Sequence, residues 1–370
     1  MARPNRIIMR IIVKVKFGAS ADLLTPSDCS TIVKAMRTAD SLLVMVLEVQ
    51  GEAKLETLRH RFKTTLVDAR AENGALLHPK LSSTFEYFHG YRIYYPCKNF
   101  DIGNHFNVIL DAEGSPLDAL VSKRYILRPI QMPLKMLKDI QASSGAKLNT
   151  ILASCIYKAL QRISQDIAAD PKTVLGCKKD EGILEKLQMR STRERNWTLV
   201  IPQSCWVPGD KLELVNRTSG LLYSMKDTEL TRDRMETLRT VKHTFEDPSR
   251  MMYSWSMFNF GSTLINCVPL LISDLAFAGC KNFTGVFSNV RGPDVKQTLI
   301  GHELLAMTAY VSMWENLDLG VVANSYNGNL GIQLAGRKGS FRSREELRTT
   351  LEYIKEEVHM LHQSVIKKVA

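Results

Sequence analysis

The chain has 370 residues, 45% hydrophobic and 24% charged, with 49 basic against 38 acidic residues and a formal net charge of +11. That balance is typical of a soluble globular protein with a sizeable core. Seven cysteines lie far apart with no C-x-x-C pair, which argues against both a disulfide framework and a metal site. The positive charge suits an anionic partner such as a phospholipid surface. It is dispersed in small clusters (Lys178-Lys179, Arg337-Lys338, Lys367-Lys368) without interleaved aromatics, which argues against nucleic acid as a partner.

The N-terminus begins like a signal peptide, but Arg10, Lys14 and Lys16 interrupt its apolar run and no small-residue cleavage site follows. Residues 1–20 fit no clear element and are expected to form a tail. Leu24–Asp28 reads as a turn into a helix. Ser41–Val49 is a short apolar run expected to form a buried strand. Leu55–Arg70 is a helix candidate with Leu55, Leu58, Phe62 and Leu66 on one face. Tyr91–Tyr95 and Phe106–Leu110 look like further strands. The apolar runs at Leu42–Leu47 and Val268–Ala278 fall well short of the ~20 residues that span a bilayer, so no transmembrane helix is expected.

Pro133 is a good helix-start residue, and Ser143-Ser144-Gly145 ends the pattern it opens. A second helix is expected from about Thr150 to Ile167, with Leu152, Ile156, Leu160 and Ile163 on its apolar face. Residues 169–196 are polar and charged and form the best linker candidate. Strands then dominate: Trp197–Ile201, Phe283–Val290, Met307–Met313, Leu317–Asn324 and Leu330–Leu334. Asn327-Gly328 is a strong hairpin signal, because a type I′ turn needs φ > 0 at both central positions. Ser343-Arg344-Glu345-Glu346 is a capping box opening a C-terminal helix whose stripe is Leu347, Leu351, Ile354, Val358 and Leu361. Strands and helices mixed in this order argue for an α/β or α+β protein.

Two C-terminal motifs carry a more specific signal. Phe287-Ser288-Asn289-Val290-Arg291-Gly292-Pro293 is followed by Glu315–Gly331, which contains Ser325-Tyr326-Asn327-Gly328. Together they resemble the S-N-V-P-G-P turn and S-Y-N-G hairpin of the wax ester synthase/diacylglycerol acyltransferase family. Weaker likenesses are Leu24–Asp28, Arg61-Phe62-Lys63, Phe100-Asp101-Ile102 with His105, Leu148–Ala153, Val200–Ser204 and Val215–Arg217. The chain departs from the family at Arg291, where proline is usual, and at Thr150, where aspartate is common. Its largest departure is that no two of the eight histidines are adjacent. The family's catalytic H-H-x-x-x-D-G should precede the 148–153 helix. Here Ser122–Arg128 runs straight on to Pro133, so the catalytic residues are unknown.

The resemblance implies a two-lobed fold like that of the CoA-dependent acyltransferases, with a tunnel between lobes and the N-terminal lobe incomplete. The implied division is a tail at 1–20, an N-terminal lobe at 21–168, a linker at 169–196 and a C-terminal lobe at 197–370. The implied chemistry is acyl transfer from acyl-CoA, a substrate and not a cofactor, to diacylglycerol or a fatty alcohol. It would take place at the cytoplasmic face of the endoplasmic reticulum or plasma membrane, with the protein bound peripherally. A histidine base takes the alcohol proton in that reaction, and losing it costs roughly 10²–10⁴ in rate. The chain as written is therefore expected to be inactive, or to be a non-catalytic acyl-CoA or lipid binder.

Asn149, Ser288, Asn289, Gly292, Ser325 and Tyr326 are the substrate-tunnel candidates that the resemblance implies. Each also has a structural reading. Asn149 reads as a helix cap, Gly292-Pro293 as a turn and Ser325–Gly328 as a hairpin tip. His243-Thr244-Phe245-Glu246-Asp247 has H-x-x-x-D spacing but Pro248 in place of glycine, and reads as a surface helix. His302 reads as a loop residue.

Overall fold

The computed structural model describes residues 2–17, 21–23, 44–51, 54–88, 91–97, 124–169, 196–204, 218–249, 252–253, 256, 284–310 and 317–369. The expected turn at Leu24–Asp28, the strand at Phe106–Leu110, His105 and residues 170–195 of the expected linker lie outside them.

A mixed seven-stranded sheet carries most of the core. It contains β5 (Arg124–Ile126), β6 (Ile130–Pro133), β7 (Asn196–Ser204), β8 (Thr218–Lys226), β9 (Gly285–Arg291), β12 (Leu319–Tyr326) and β13 (Asn329–Arg337). The order is β5-β13-β12-β9-β7-β8, with β6 also paired to β13. β9 runs parallel to both β7 and β12, and the remaining pairs are antiparallel. The β12–β13 hairpin closes at Asn327 and Gly328 with φ of 47° and 76°, the conformation that a type I′ turn demands. β8 was not expected from the sequence, yet its residues alternate strictly between exposed and buried, with Leu221, Tyr223 and Met225 turned inward.

One face of this sheet is covered by α3 (Leu134–Ser144), α4 (Leu148–Ala169), α5 (Arg234–Phe245) and α6 (Arg344–Val369). Helix α3 stops where Gly145 adopts φ 63° and its N–H donates to the Gln141 carbonyl, a left-handed cap that glycine supplies at little cost. Half of the expected capping box of α6 forms, Ser343 Oγ accepting from Glu346 N at 3.1 Å, while the Glu346 carboxylate accepts at 2.8 Å from Arg342 N, one residue before the cap, and not from Ser343 N. Leu347, Leu351, Ile354, Val358 and Leu361 are all buried against the other helices and the sheet. Each such side chain contributes about 1.5–3 kcal/mol by leaving water.

The helices are also joined through charge. Glu357 of α6, nearly fully buried, accepts from Arg234 of α5 at 2.7 Å and from Arg162 of α4 at 3.0 Å. Residues 124–169 therefore pack with the C-terminal sheet and its helices.

The opposite face of the sheet carries β11 (His302–Tyr310), flanked by β10 (Thr298–Leu299) and β2 (Val44–Val49) in a three-stranded sheet. Side-chain amides of Asn324 and Gln333 donate to the Met307 and Ala309 carbonyls, and Tyr326 Oη donates to the Leu304 carbonyl at 2.7 Å. His302, expected in a loop, instead begins β11. Its Nδ1 lies 3.0 Å from the Gln50 carbonyl, beside the β11–β2 ladder.

The remaining described elements form a separate small unit. In it β1 (Asp22–Leu23) pairs with β4 (Tyr91–Pro96), and β4 with β3 (Ser83–Phe88). Residues 2–17, expected to form no element, are helix α1 (Ala2–Phe17). The physical reason is a four-residue repeat of Met9, Val13 and Phe17. Val13 is buried against Ala21 and Leu23, and Phe17 stacks on Tyr95 at 4.9 Å. Helix α2 (Leu55–Phe62) gives way to a wider π-turn at Lys63–Val67, short of the expected Arg70. There Thr64 and Thr65 donate their hydroxyls to the His60 and Arg61 carbonyls.

Candidate functional site

Strands β9 and β12 run parallel, and the helix layer ends before they do. Along β9, Phe287 is fully buried under the helices, whereas Asn289 and Arg291, further along the same face, are exposed. Arg291 stands in register with Ser325 of β12. A cavity of about 300 Å³ opens at this end, a volume at the lower limit of small-molecule sites. In open sheets with parallel strands, ligands characteristically bind outside the carboxyl ends of those strands.

Its walls divide by chemistry. Leu134 and Leu137 from α3, Leu148 and Leu152 from α4, and Leu330 from β13 supply an apolar floor. Asn289, Ser325, Lys138, Arg291 and Asp294 supply polar groups. Asn289 Nδ2 donates to Asn149 Oδ1 at 2.7 Å, which joins β9 to the first turn of α4. Arg291 pairs with Asp294 at 2.7 Å, and that guanidinium, with a smaller contribution from Lys138, holds the Asp294 carboxyl below its usual range.

The substrate-tunnel candidates separate onto two faces. Asn289 and Ser325 line the cavity, and Asn149 meets Asn289 beside it. Asn149 is not the cap of α4. That role falls to Glu246, whose carboxylate accepts from Lys147 N at 2.7 Å and from Thr150 Oγ1 at 2.8 Å at the positive end of the helix. Gly292 N donates to Ser325 Oγ at 3.3 Å, a close approach of turn and strand. Ser288 and Tyr326 point to the opposite face, because successive residues of a strand alternate. There Tyr326 Oη accepts from Gln297 N at 2.9 Å and belongs to the packing of β11.

Leu152 and Leu330 fit the helix and strand patterns of the core, and nothing in the sequence marks them, or Leu134, Leu137 and Leu148, as a cavity floor. Lys138 and Asp294 carried no sequence signal, and Arg291 was marked by its departure from the family turn. His243 is exposed on α5, as its surface-helix reading required. Among the described residues, the ten that line the cavity include no imidazole. The site combines an apolar floor with amide, hydroxyl and guanidinium donors.

Comparison with known proteins gives this arrangement a context. Residues 215–361 match the WS/DGAT C-terminal domain family. No curated protein sequence matches the chain. Among solved structures, the wax ester synthase/diacylglycerol acyltransferase from Marinobacter aquaeolei VT8 is similar at 12% identity and a TM-score of 0.53, covering 92% of this chain and 100% of that one. TRI3 trichothecene 15-O-acetyltransferase from Fusarium sporotrichioides is similar at 11% identity and a TM-score of 0.54, covering 92% of this chain and 95% of that one. The condensation domain from Monacolin K polyketide synthase MokA is similar at 8% identity and a TM-score of 0.51, covering 93% and 97%. At these identities the likeness establishes the fold, that of the CoA-dependent acyltransferases and condensation domains, as the sequence motifs implied. Residues 215–361, which contain both the turn at Ser288–Pro293 and the hairpin at Ser325–Gly328, are thus similar to the C-terminal domain of the wax ester synthase/diacylglycerol acyltransferase family.

Proposed function

We propose that this O-acyltransferase-family protein holds the acyl group of acyl-CoA on the leucine floor of the cavity, with a lipid alcohol as its second ligand. The ancestral reaction is esterification of diacylglycerol or a fatty alcohol, giving a triacylglycerol or wax ester, at a membrane surface that supplies the alcohol. No cofactor is needed, because the thioester is itself the activated donor. The observation that carries this reading is the pairing of five leucines with Asn289 and Ser325 at the carboxyl ends of β9 and β12.

Transfer is a different matter. An alcohol hydroxyl has a pKa far above neutrality and needs an adjacent base to attack a thioester. Asparagine and serine side chains cannot take that proton, the Asp294 carboxylate is paired with Arg291 and held below its usual range and so is a weak base, and the chain has no adjacent histidines. The proposed activity is therefore binding with little or no turnover.

The experiment uses the purified chain, oleoyl-CoA labelled in the acyl group, and dioleoylglycerol or hexadecanol as acceptor. Saturable oleoyl-CoA binding by calorimetry, with transfer no greater than in a heat-killed control, is the expected result. Transfer above that control would sink the claim of inactivity. Absence of saturable binding would sink the cavity assignment.

A further inference from the structure

Helix α1 buries only one of its two apolar stripes. Met9, Val13 and Phe17 pack against β1 and β4. Ile8, Ile11, Ile12 and Val15 form the second, at the i, i+3, i+4, i+7 spacing of one helix face. They are 57%, 59%, 42% and 83% exposed, an unusual concentration of aliphatic surface on one helix. The helix also carries Arg3, Arg6, Arg10, Lys14 and Lys16 and no acidic residue. At 3.6 residues per turn, Lys14 and Lys16 fall on opposite flanks of the exposed stripe, and both are exposed.

From this pairing of aliphatic stripe and cationic flanks, we infer that α1 is a membrane-docking helix that lies in the interface of an anionic phospholipid bilayer. Ile8, Ile11, Ile12 and Val15 enter the acyl boundary, while the lysines meet lipid phosphates. Charge complementarity selects this occupant. A protein partner would need acidic side chains on both flanks of an aliphatic groove, whereas an anionic leaflet presents negative charge on all sides of the helix. A second copy of α1 would bring two sets of cations together. No helix among the described residues is long and apolar enough to cross a membrane, so this contact lies in the bilayer plane. It does not depend on what the cavity binds.

The test is co-sedimentation of the full chain with phosphatidylcholine vesicles, with and without phosphatidylserine. The wild-type chain is expected to sediment with the phosphatidylserine vesicles. The double substitution Ile11→Ser and Val15→Ser should lower partitioning about tenfold or more, since each buried methylene is worth about 0.8 kcal/mol. Lys14→Glu should weaken binding to the anionic vesicles roughly fivefold or more, with little effect on phosphatidylcholine alone. All three positions are exposed and leave Val13 in place, so circular dichroism and thermal melting should match the wild type. Equal sedimentation of wild type and the double variant would overturn the inference. So would a dimer seen by light scattering that the double variant loses while vesicles never bind, which would assign the stripe to a second copy.

Discussion

The side-chain amide of Asn289 donates to the side-chain oxygen of Asn149 across 2.7 Å, bridging residues 140 apart in sequence. The bond is solvent-accessible, so its net worth to folding is at most about 1 kcal/mol. Its larger consequence is to fix two amides beside the cavity. Asn289→Ala is expected to leave the urea midpoint nearly unchanged while weakening oleoyl-CoA binding several-fold, on the order of 1 kcal/mol. Because both side chains share one bond, the Asn149→Ala/Asn289→Ala double variant should lose little more than either single one. Calorimetric titration of the four proteins checks this, and full additivity would contradict it.

Gly292 is the tightest point of the turn that leaves β9. A methyl group there would run into the Ser325 carbonyl oxygen and stand 2.7 Å from Met307 Cε. Neither the strand nor the β11 packing can yield freely, so Gly292→Ala is expected to destabilise by roughly 2 kcal/mol or more. Gly328→Ala probes strain of another kind, φ of 76° with nothing nearby, and should cost about 1 kcal/mol. Denaturant melts of the two variants should rank in that order.

Glu357 pairs with both Arg162 and Arg234 at the junction of three helices. Glu357→Gln should lower stability by about 2–3 kcal/mol. That is less than the loss of a fully buried pair, because Arg162 keeps Glu356 at 2.8 Å and both guanidinium groups reach solvent. Cys155 reports on the same region. Burial, reinforced by Glu357, pushes its thiol up to about 12. Maleimide should therefore label Cys155 only as the fold opens, and at lower denaturant in Glu357→Gln.

Glu346 gives the protein a pH dependence with a definite sign. Burial raises its carboxyl above the ordinary range, and the bond from Arg342 N offsets this only in part. The folded state then holds this proton more tightly than the unfolded chain. Its contribution is complete below the ordinary glutamate pKa of about 4.3 and is lost as pH rises through the raised folded value. Glu346→Gln keeps an oxygen for Arg342 N and should flatten this part of the curve while raising stability at neutral pH. An unchanged slope of stability against pH across that window would refute the assignment.

Sequence alone determined the local features. Asn327-Gly328 made the hairpin because only certain residues tolerate positive φ at both turn positions. Ser343–Glu346 made a cap because its partners lie within four residues, and the stripe from Leu347 to Leu361 followed a period that needs no knowledge of the partner surface. The family turn and hairpin were legible because they are contiguous. Other features rest on residues distant in sequence. That α4 is capped by Glu246, 99 residues from Lys147, is set by how α5 packs. That Asn289 and not Ser288 faces the cavity depends on the register of β9 against β12. The cavity exists because the helix layer stops short of the strand ends, and its leucines carry the same pattern as the core. Hydrophobic periodicity records that a side chain avoids water; only tertiary packing decides whether a neighbour or an open cleft lies beside it.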